Sequence, residues 1–438
     1  MKNKLINILN DKHFGEILRG TALVFIIRIL ASIITFLLTL IIVKQLGAEK
    51  SGAYFFIISF LMFLGAFSSF GLFNAVLKEV SINKENSQYT SNIMTKAIIL
   101  IFIGSVMSSV MVYIYNYLSV QFNFVNPIIN EYIFYIVLSL FPFTLTFLFS
   151  NYFQATKNLI ISMIMLNFGY QSIMLLILTV YSISSTEELL RIFDISILII
   201  VIIGFVIYFF RHKNSIKHTT DKTFQSLLFL STPMMIAHIV SQLNNFSGQL
   251  LLSIYATPTD ISLFAVSMRI AILMSFLIMA VNRIVAPKFA VLYKDGDIKK
   301  LEEVVLFSNK LLLFFSLPIL IIIIVFGHEI LNLFGSEFKN AYNVLVIVTS
   351  GQFIASLSGT VVFLLQMTGS EKVIRNNILI STLISLSFGL IIVPIYGVIG
   401  AAIMTFLSLV TVNLLSCYKA YKILGINPLK FFNIKGSI

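Results

Sequence analysis

Phe224-Gln-Ser-Leu-Leu-Phe-Leu-Ser-Thr-Pro-Met-Met-Ile-Ala-His-Ile-Val-Ser-Gln-Leu-Asn-Asn-Phe-Ser-Gly-Gln-Leu-Leu-Leu-Ser-Ile-Tyr255 is apolar enough to cross a bilayer, yet Ser231, His238, Gln242, Asn245 and Gln249 recur along it at intervals of seven, four, three and four. Those intervals mark one face of an α-helix. Facing lipid, each unpaired donor or acceptor would cost several kcal/mol, so the stripe must face protein or a water-filled space. Two readings fit this helix alone. It is either joined to its neighbours by hydrogen bonds, or it walls a translocation cavity.

The rest of the chain has the same character. Of 438 residues, 58% are hydrophobic and 11% charged, and the mean hydropathy is +0.98, far from the norm for soluble globular proteins. Apolar runs of about 20 residues, the length that spans a bilayer, fall near 20–43, 52–76, 94–117, 131–154, 159–182, 190–210, 225–255, 259–285, 304–327, 339–366, 374–394 and 397–418. The sequence therefore predicts an all-α, polytopic membrane protein of twelve transmembrane helices. The first run continues to Val43 without a small-residue cleavage pattern, so it reads as a retained helix rather than a signal peptide.

Charge tests this assignment. With the amino terminus inside, 22 Lys and Arg fall on inner segments and four (Lys44, Lys50, Arg191, Lys339) on outer loops, with Arg28, Arg269, Arg283 and Lys310 inside spans. That asymmetry fixes the orientation of a multi-pass membrane protein with both ends cytoplasmic. It also accounts for the net charge of +12 without a nucleic-acid partner. The single cysteine, Cys417, excludes an internal disulfide and a cysteine-based zinc site.

The basic link from Arg211 to Thr223 divides six helices from six, giving an N-terminal lobe (1–210), a cytoplasmic linker (211–223) and a C-terminal lobe with a basic tail (224–438). A weak repeat supports the division. Phe153-Gln-Ala-Thr156 and Leu365-Gln-Met-Thr368 lie 212 residues apart, and the turn Gly47–Gly52 has a counterpart at Ala256–Ile261. Six helices separate each pair, so the copies are parallel and related by a pseudo-two-fold axis along the membrane normal. Between the eighth and ninth helices, Lys288–Val304 reads as an amphipathic segment, with Leu301, Val304 and Val305 on the lipid headgroups and Lys299 and Lys300 toward anionic lipid.

Charges inside spans are the most informative residues, because a cation at mid-bilayer costs at least about 2.5–3.5 kcal/mol. Arg269 lies about 15 Å into the eighth helix at 1.5 Å per residue, with Ser262 and Arg283 on its face at intervals of seven and fourteen. Arg28 shares a face with Thr21, Ser32, Thr35 and Thr39; Gln352 lies on one with Thr349, Ser356 and Gln366; Asn167 and Gln171 mark the fifth helix. Arg28 and Lys310 also sit close enough to the inner boundary to snorkel. Taken together the stripes favour a hydrated cationic cavity whose candidate substrate-binding residues are Arg28, Arg269, Arg283, His238, Gln242, Asn245, Gln249 and Gln352. Guanidinium groups pair with phosphate and amides with sugar hydroxyls. Asp194 is the sole carboxylate placed inside a span, which poorly represents the acidic site of a cation antiporter. The sequence has no Walker loop, no H-E-x-x-H, no Cys/His cluster and no G-x-S-x-G elbow. No catalytic residue, metal or cofactor is expected.

The chain resembles the polysaccharide-exporter branch of the multidrug/oligosaccharidyl-lipid/polysaccharide (MOP) superfamily over nearly its whole length. The carrying stretches are Lys44-Gln-Leu-Gly-Ala-Glu-Lys-Ser-Gly-Ala-Tyr54, Phe70-Gly-Leu-Phe-Asn-Ala75, Leu230-Ser-Thr-Pro-Met-Met235, Val285-Ala-Pro-Lys288 and Pro394-Ile-Tyr-Gly-Val-Ile-Gly-Ala-Ala402. The resemblance implies a fold similar to multidrug and toxin extrusion transporters and a flippase working by alternating access. Its substrate would be an undecaprenyl-diphosphate-linked oligosaccharide, delivered for O-antigen, lipopolysaccharide or capsule synthesis alongside a polymerase and glycosyltransferases. A multidrug antiporter or a peptidoglycan-precursor flippase are the alternatives within the superfamily. A membrane-embedded polymerase or sugar transferase is the alternative outside it, and the short outer loops count against that one. Many relatives carry an acid near the outer end of the seventh helix, where this chain reads Ser247-Gly-Gln249, so cation coupling through that position does not carry over.

Overall fold

The computed structural model describes residues 12–83, 85–122, 125–212 and 224–430; the side chains of 12–25, Asn167 and Arg283 lie outside the described residues, as does the link from 213 to 223. Among the described residues eight helices are individually long and apolar enough to cross a membrane, and two bent pairs bring the number to ten. Two of the eight are too long for one crossing. Lys12–Ser68 has 57 residues and Glu371–Leu424 has 54, about 80 Å each at 1.5 Å per residue, against a hydrocarbon core of about 30 Å. Each is broken at one glycine, Gly47 (φ 74°, ψ 178°) or Gly397 (φ 52°, ψ −126°), in a conformation that a side chain disfavours. The total is twelve.

We number the spans α1 (12–46), α2 (48–82, interrupted at Ser69–Gly71), α3 (Ser87–Gln121), α4 (Pro127–Ala155), α5 (159–180), α6 (Thr186–His212), α7 (Phe224–Tyr255), α8 (258–294), α9 (Ile298–Asn332), α10 (336–367), α11 (371–396) and α12 (398–424). Most run several residues beyond the apolar stretches that announce them. The hydrophobic run records the hydrocarbon core, whereas the helix continues through the headgroup layer, where polar side chains are at no disadvantage.

The residues pack as two units. One contains the chain up to Ile41, Leu64–Ile183 and Glu187–His238; the other contains Ile42–Phe63, Ser184–Thr186 and the chain from Ile239 onward. Hydroxyl and amide side chains join helices within each, as expected where lipid is as apolar as leucine and burial alone cannot draw helices together. In the first unit Ser68 bonds Ser108 at 3.0 Å, Ser150 bonds the Ser162 carbonyl at 2.9 Å, and Ser139 donates to Asp194. In the second, Ser381 donates to the Ser408 carbonyl at 2.7 Å and Asn377 to Ser416 at 3.2 Å. The residue further before the Gly397 break pairs with the one further after it, so α11 and α12 run antiparallel. Thr360 donates to Asn309 at 2.6 Å, and Asn309 in turn donates to the Pro428 carbonyl at 3.1 Å.

One sequence expectation is corrected. Lys294 does end a helix and Asp297 caps the next, accepting from the Lys300 amide at 3.1 Å. Leu301 and Val305, however, are fully buried among Val285, Phe289, Val361, Leu364 and Ile374 rather than laid on headgroups. Amphipathicity marks an apolar face and does not say whether lipid or protein covers it.

Candidate functional site

The polar stripe of α7 divides between the two units. In the first unit Ser231 is buried, its hydroxyl bonded to the Leu228 carbonyl one turn back at 3.2 Å, and the half-buried His238 sets its ring edge-on to Phe73 at 5.6 Å. In the second unit Gln242 and Gln249 are half-buried and Asn245 is exposed. Gln249 accepts a hydrogen bond from Ser59 on α2. Asn244, which lies off the stripe, accepts from Thr382 on α11 at 3.1 Å and from Ser408 on α12 at 2.6 Å. The helix is thus polar on two faces, and the neighbouring Asn244-Asn245 pair is the sequence signal of the second.

Arg269 is half-buried in α8, its guanidinium carbon 4.9 Å from the centre of the Phe55 ring. A ring face attracts a cation without neutralising it. Four residues beyond Phe55, one helical turn, is Ser59, the partner of Gln249. Two of the predicted substrate-binding residues therefore meet the same face of α2. Gln352 is buried in α10, with Ser356 of the same stripe donating to Ser316 of α9 at 2.9 Å. Among the described residues the buried hydroxyl of Thr349 on that stripe has no hydrogen-bond partner.

Arg28 is half-buried in the first unit. Its neighbours show how a membrane helix hides polarity: Ser32 donates to the Arg28 carbonyl at 2.8 Å, Thr35 to that of Ala31 at 2.8 Å, and Thr39 to that of Thr35 at 2.7 Å. Each of these bonds satisfies one hydroxyl hydrogen on the helix's own backbone. Arg283 has its side chain outside the described residues. Between it and Arg269 a 3-10 turn, Ile272–Met274, interrupts α8. Asp194 is buried and bonded by Ser139, and Lys310 is exposed on α9. Among the described residues no group of three or more His, Cys, Asp or Glu is placed to hold a metal ion.

Sequence reasoning missed Phe55, Ser59 and Asn244. A phenylalanine in a hydrophobic helix and a lone serine carry no signal until the helix opposite them is known.

Comparison with known proteins agrees with this architecture. The sequence profile of a family described as "Polysaccharide biosynthesis protein" matches residues 17–292. A protein named "Probable low-salt glycan biosynthesis flippase Agl15", from Haloferax volcanii, is 23% identical over 197 residues, which is 45% of this chain and 42% of that protein. The match thus spans less than half of that relative's length. Among solved structures, an inward-facing multidrug resistance MATE family transporter of the MOP superfamily superposes with a TM-score of 0.74 at 14% identity, covering 94% of this chain and 100% of that one. The lipid II flippase MurJ, in an inward closed conformation, superposes with a TM-score of 0.72 at 18% identity, covering 91% and 87%. At such identities the likeness is one of fold. The matched proteins are transporters and flippases rather than enzymes.

Proposed function

We propose, from the premise that this chain belongs to the polysaccharide biosynthesis protein family, that it is a flippase for lipid-linked glycans. The substrate is an undecaprenyl-diphosphate-linked oligosaccharide repeat unit, carried from the cytoplasmic to the outer leaflet by alternating access. It feeds O-antigen, capsule or another surface polysaccharide, with glycosyltransferases supplying the repeat and a polymerase consuming it. The protein resides in the cytoplasmic membrane with both termini inside, and residues 1–210 and 224–438 act as lobes about the 211–223 link.

The observation that carries this reading is the Arg269 guanidinium, placed in an apolar span against the face of Phe55. A planar fork of donors there suits the pyrophosphate of a polyprenyl carrier. The amides of Gln242, Asn245, Gln249 and Gln352 supply hydrogen bonds for sugar hydroxyls, with Arg28, Arg283 and His238 as further polar contacts.

Hydrogen bonds to charged groups contribute about 1.5–3 kcal/mol, equivalent to about 10- to 150-fold in affinity. Arg269→Ala is therefore expected to reduce surface polysaccharide by at least about tenfold, and Arg269→Lys, which keeps the charge without the fork, to lose less. Arg28→Ala is expected to lose activity in the same direction. The measurement is complementation of a strain lacking its own flippase, with expression matched by immunoblot. Normal polysaccharide in both alanine variants would remove the phosphate-binding role.

A multidrug antiporter would instead depend on a carboxylate, and Asp194, buried and bonded by Ser139, is the group it would use. Asp194→Asn keeps an oxygen acceptor for Ser139. We expect it to leave surface polysaccharide unchanged and to confer no change in drug resistance on overexpression; loss of a drug resistance that the parent confers would favour the antiporter.

A further inference from the structure

Three consecutive residues at the bend of α10 are each held by an asparagine of a different helix, all within the second unit. Ser358-Gly359-Thr360 separates Ser336–Leu357 from Val361–Met367, and the helix turns through 43° there. Ser358 donates to Asn413 Oδ1 of α12 at 3.1 Å, Asn282 of α8 donates to the Gly359 carbonyl at 2.8 Å, and Thr360 donates to Asn309 Oδ1 of α9 at 2.6 Å. The three asparagines are buried, and so are the three residues they hold. The amide of Asn309 reaches further, donating to the Pro428 carbonyl at 3.1 Å in the segment that follows α12. That segment is itself embedded. Ile426 is fully buried in a core with Phe289 of α8, Leu301 of α9, Leu364 of α10, Ile374 of α11 and Ala420 of α12.

We propose that the segment 425–430 acts through Asn309 to fix the bend of α10, and with it the placing of Gln352. Asn309, Thr360 and this segment are then positioning residues, which serve the substrate site without touching substrate. The proposal rests on the flippase reading, since it assigns Gln352 to the substrate. A helix interrupted by Ser-Gly-Thr is soft at that point. Tied on one side it can still swing, whereas ties from successive residues to three helices fix both the angle and its direction. Buried amides suit the task, because each supplies a donor and an acceptor and an apolar span holds no water to compete for them. The 361–367 half of α10 is anchored already, with Val361, Leu364 and Leu365 fully buried in the core that Ile426 joins. Gln352 lies across the bend, six residues before Ser358, or about 9 Å at 1.5 Å per residue. A change of about 10° in the bend would carry it about 1.5 Å, beyond the ~0.5 Å within which a binding constellation must be held.

The test breaks the link at each end. In the full chain, Thr360→Val removes the hydroxyl at the bend while keeping the side-chain shape, and Thr360→Ser keeps the hydroxyl. Ending the chain after Gly425 removes Ile426 and the Pro428 carbonyl; ending it after Lys430 keeps both, together with the Lys430–Glu302 ion pair at 3.3 Å. Amide hydrogen exchange at residues 358–367 of the substrate-free, detergent-solubilised protein is expected to be several-fold faster in Thr360→Val and in the chain ended after Gly425, and as slow as in the parent in the other two. Surface polysaccharide is expected to fall several-fold in the same two variants only. Because both act on one link, combining them is expected to lose no more than the worse of the pair, whereas a general loss of packing would add. Should the chain ended after Gly425 not fold, Asn309→Leu breaks the link at its middle and is expected to match Thr360→Val. Unchanged exchange in Thr360→Val, losses that add, or full polysaccharide delivery from a bend whose exchange has quickened would each overturn the proposal. A parent that moves no lipid-linked oligosaccharide while its exchange responds as expected would sink the flippase reading and leave the coupling of segment to bend standing.

Discussion

Gly71→Val is expected to lower the thermal stability of the detergent-solubilised protein more than any other single glycine replacement in the first unit. Gly71 adopts φ +75°, and a Cβ there would lie 2.3 Å from the Ser231 carbonyl oxygen, 2.5 Å from the Met235 amide nitrogen and 3.0 Å from the Met235 Cα. Two separate terms act. The left-handed conformation costs an L-residue about 1–2 kcal/mol. The steric term involves backbone atoms of α7, which no rotamer change can remove, and overpacking of this kind costs about 1–3 kcal/mol or more. A control separates them: Gly369 has φ +79° with nothing within 4 Å of a would-be Cβ, so Gly369→Ala reports the conformational term alone. Gly71→Ala is expected to fall between the two, and thermal unfolding of all three variants measures it. Equal shifts for Gly71→Ala and Gly369→Ala would mean that α7 does not approach Gly71 this closely.

Gly71 shows what a sequence reveals and what it withholds. Phe70-Gly71 is visible as the end of an apolar run, and the helix is indeed interrupted there, with Phe70 also at positive φ. That the glycine is required by α7, some 160 residues later, is invisible because nothing local encodes a close approach. The same division holds elsewhere. The twelve spans were legible because the bilayer imposes one length and one polarity on each of them. The sharp breaks at Gly47 and Gly397 were legible because they carry the residue that left-handed backbone selects.

Side-chain stripes were the ambiguous signal. On α1 the hydroxyls of Ser32, Thr35 and Thr39 donate to carbonyls of their own helix, and on α7 the polar side chains open onto two sides. The candidate site was therefore half legible. Arg269 and Gln249 stood out as polar groups in apolar spans, while the residues that engage them, Phe55 and Ser59, are ordinary members of a hydrophobic helix. Leu301 and Val305 failed in the opposite sense: their pattern was plain and their partner was not.

Gly52→Ala offers a result whose sign is decisive. Gly52 lies inside α2 and is buried, and in a helix interior an alanine is favoured over glycine by about 0.8–1 kcal/mol. Were α2 free of α8 at this point, the substitution would stabilise the protein. The contact reverses the sign, because the new Cβ would lie 1.7 Å from the Pro258 carbonyl oxygen and 2.5 Å from its carbon. Those are backbone atoms at the head of α8, anchored by a capping box in which the Thr257 hydroxyl and the Asp260 carboxylate each bond the other's backbone amide. Relief requires whole helices to move apart. A lowered melting temperature of the detergent-solubilised protein is the expected outcome. A raised melting temperature would mean that α2 stands clear of Pro258.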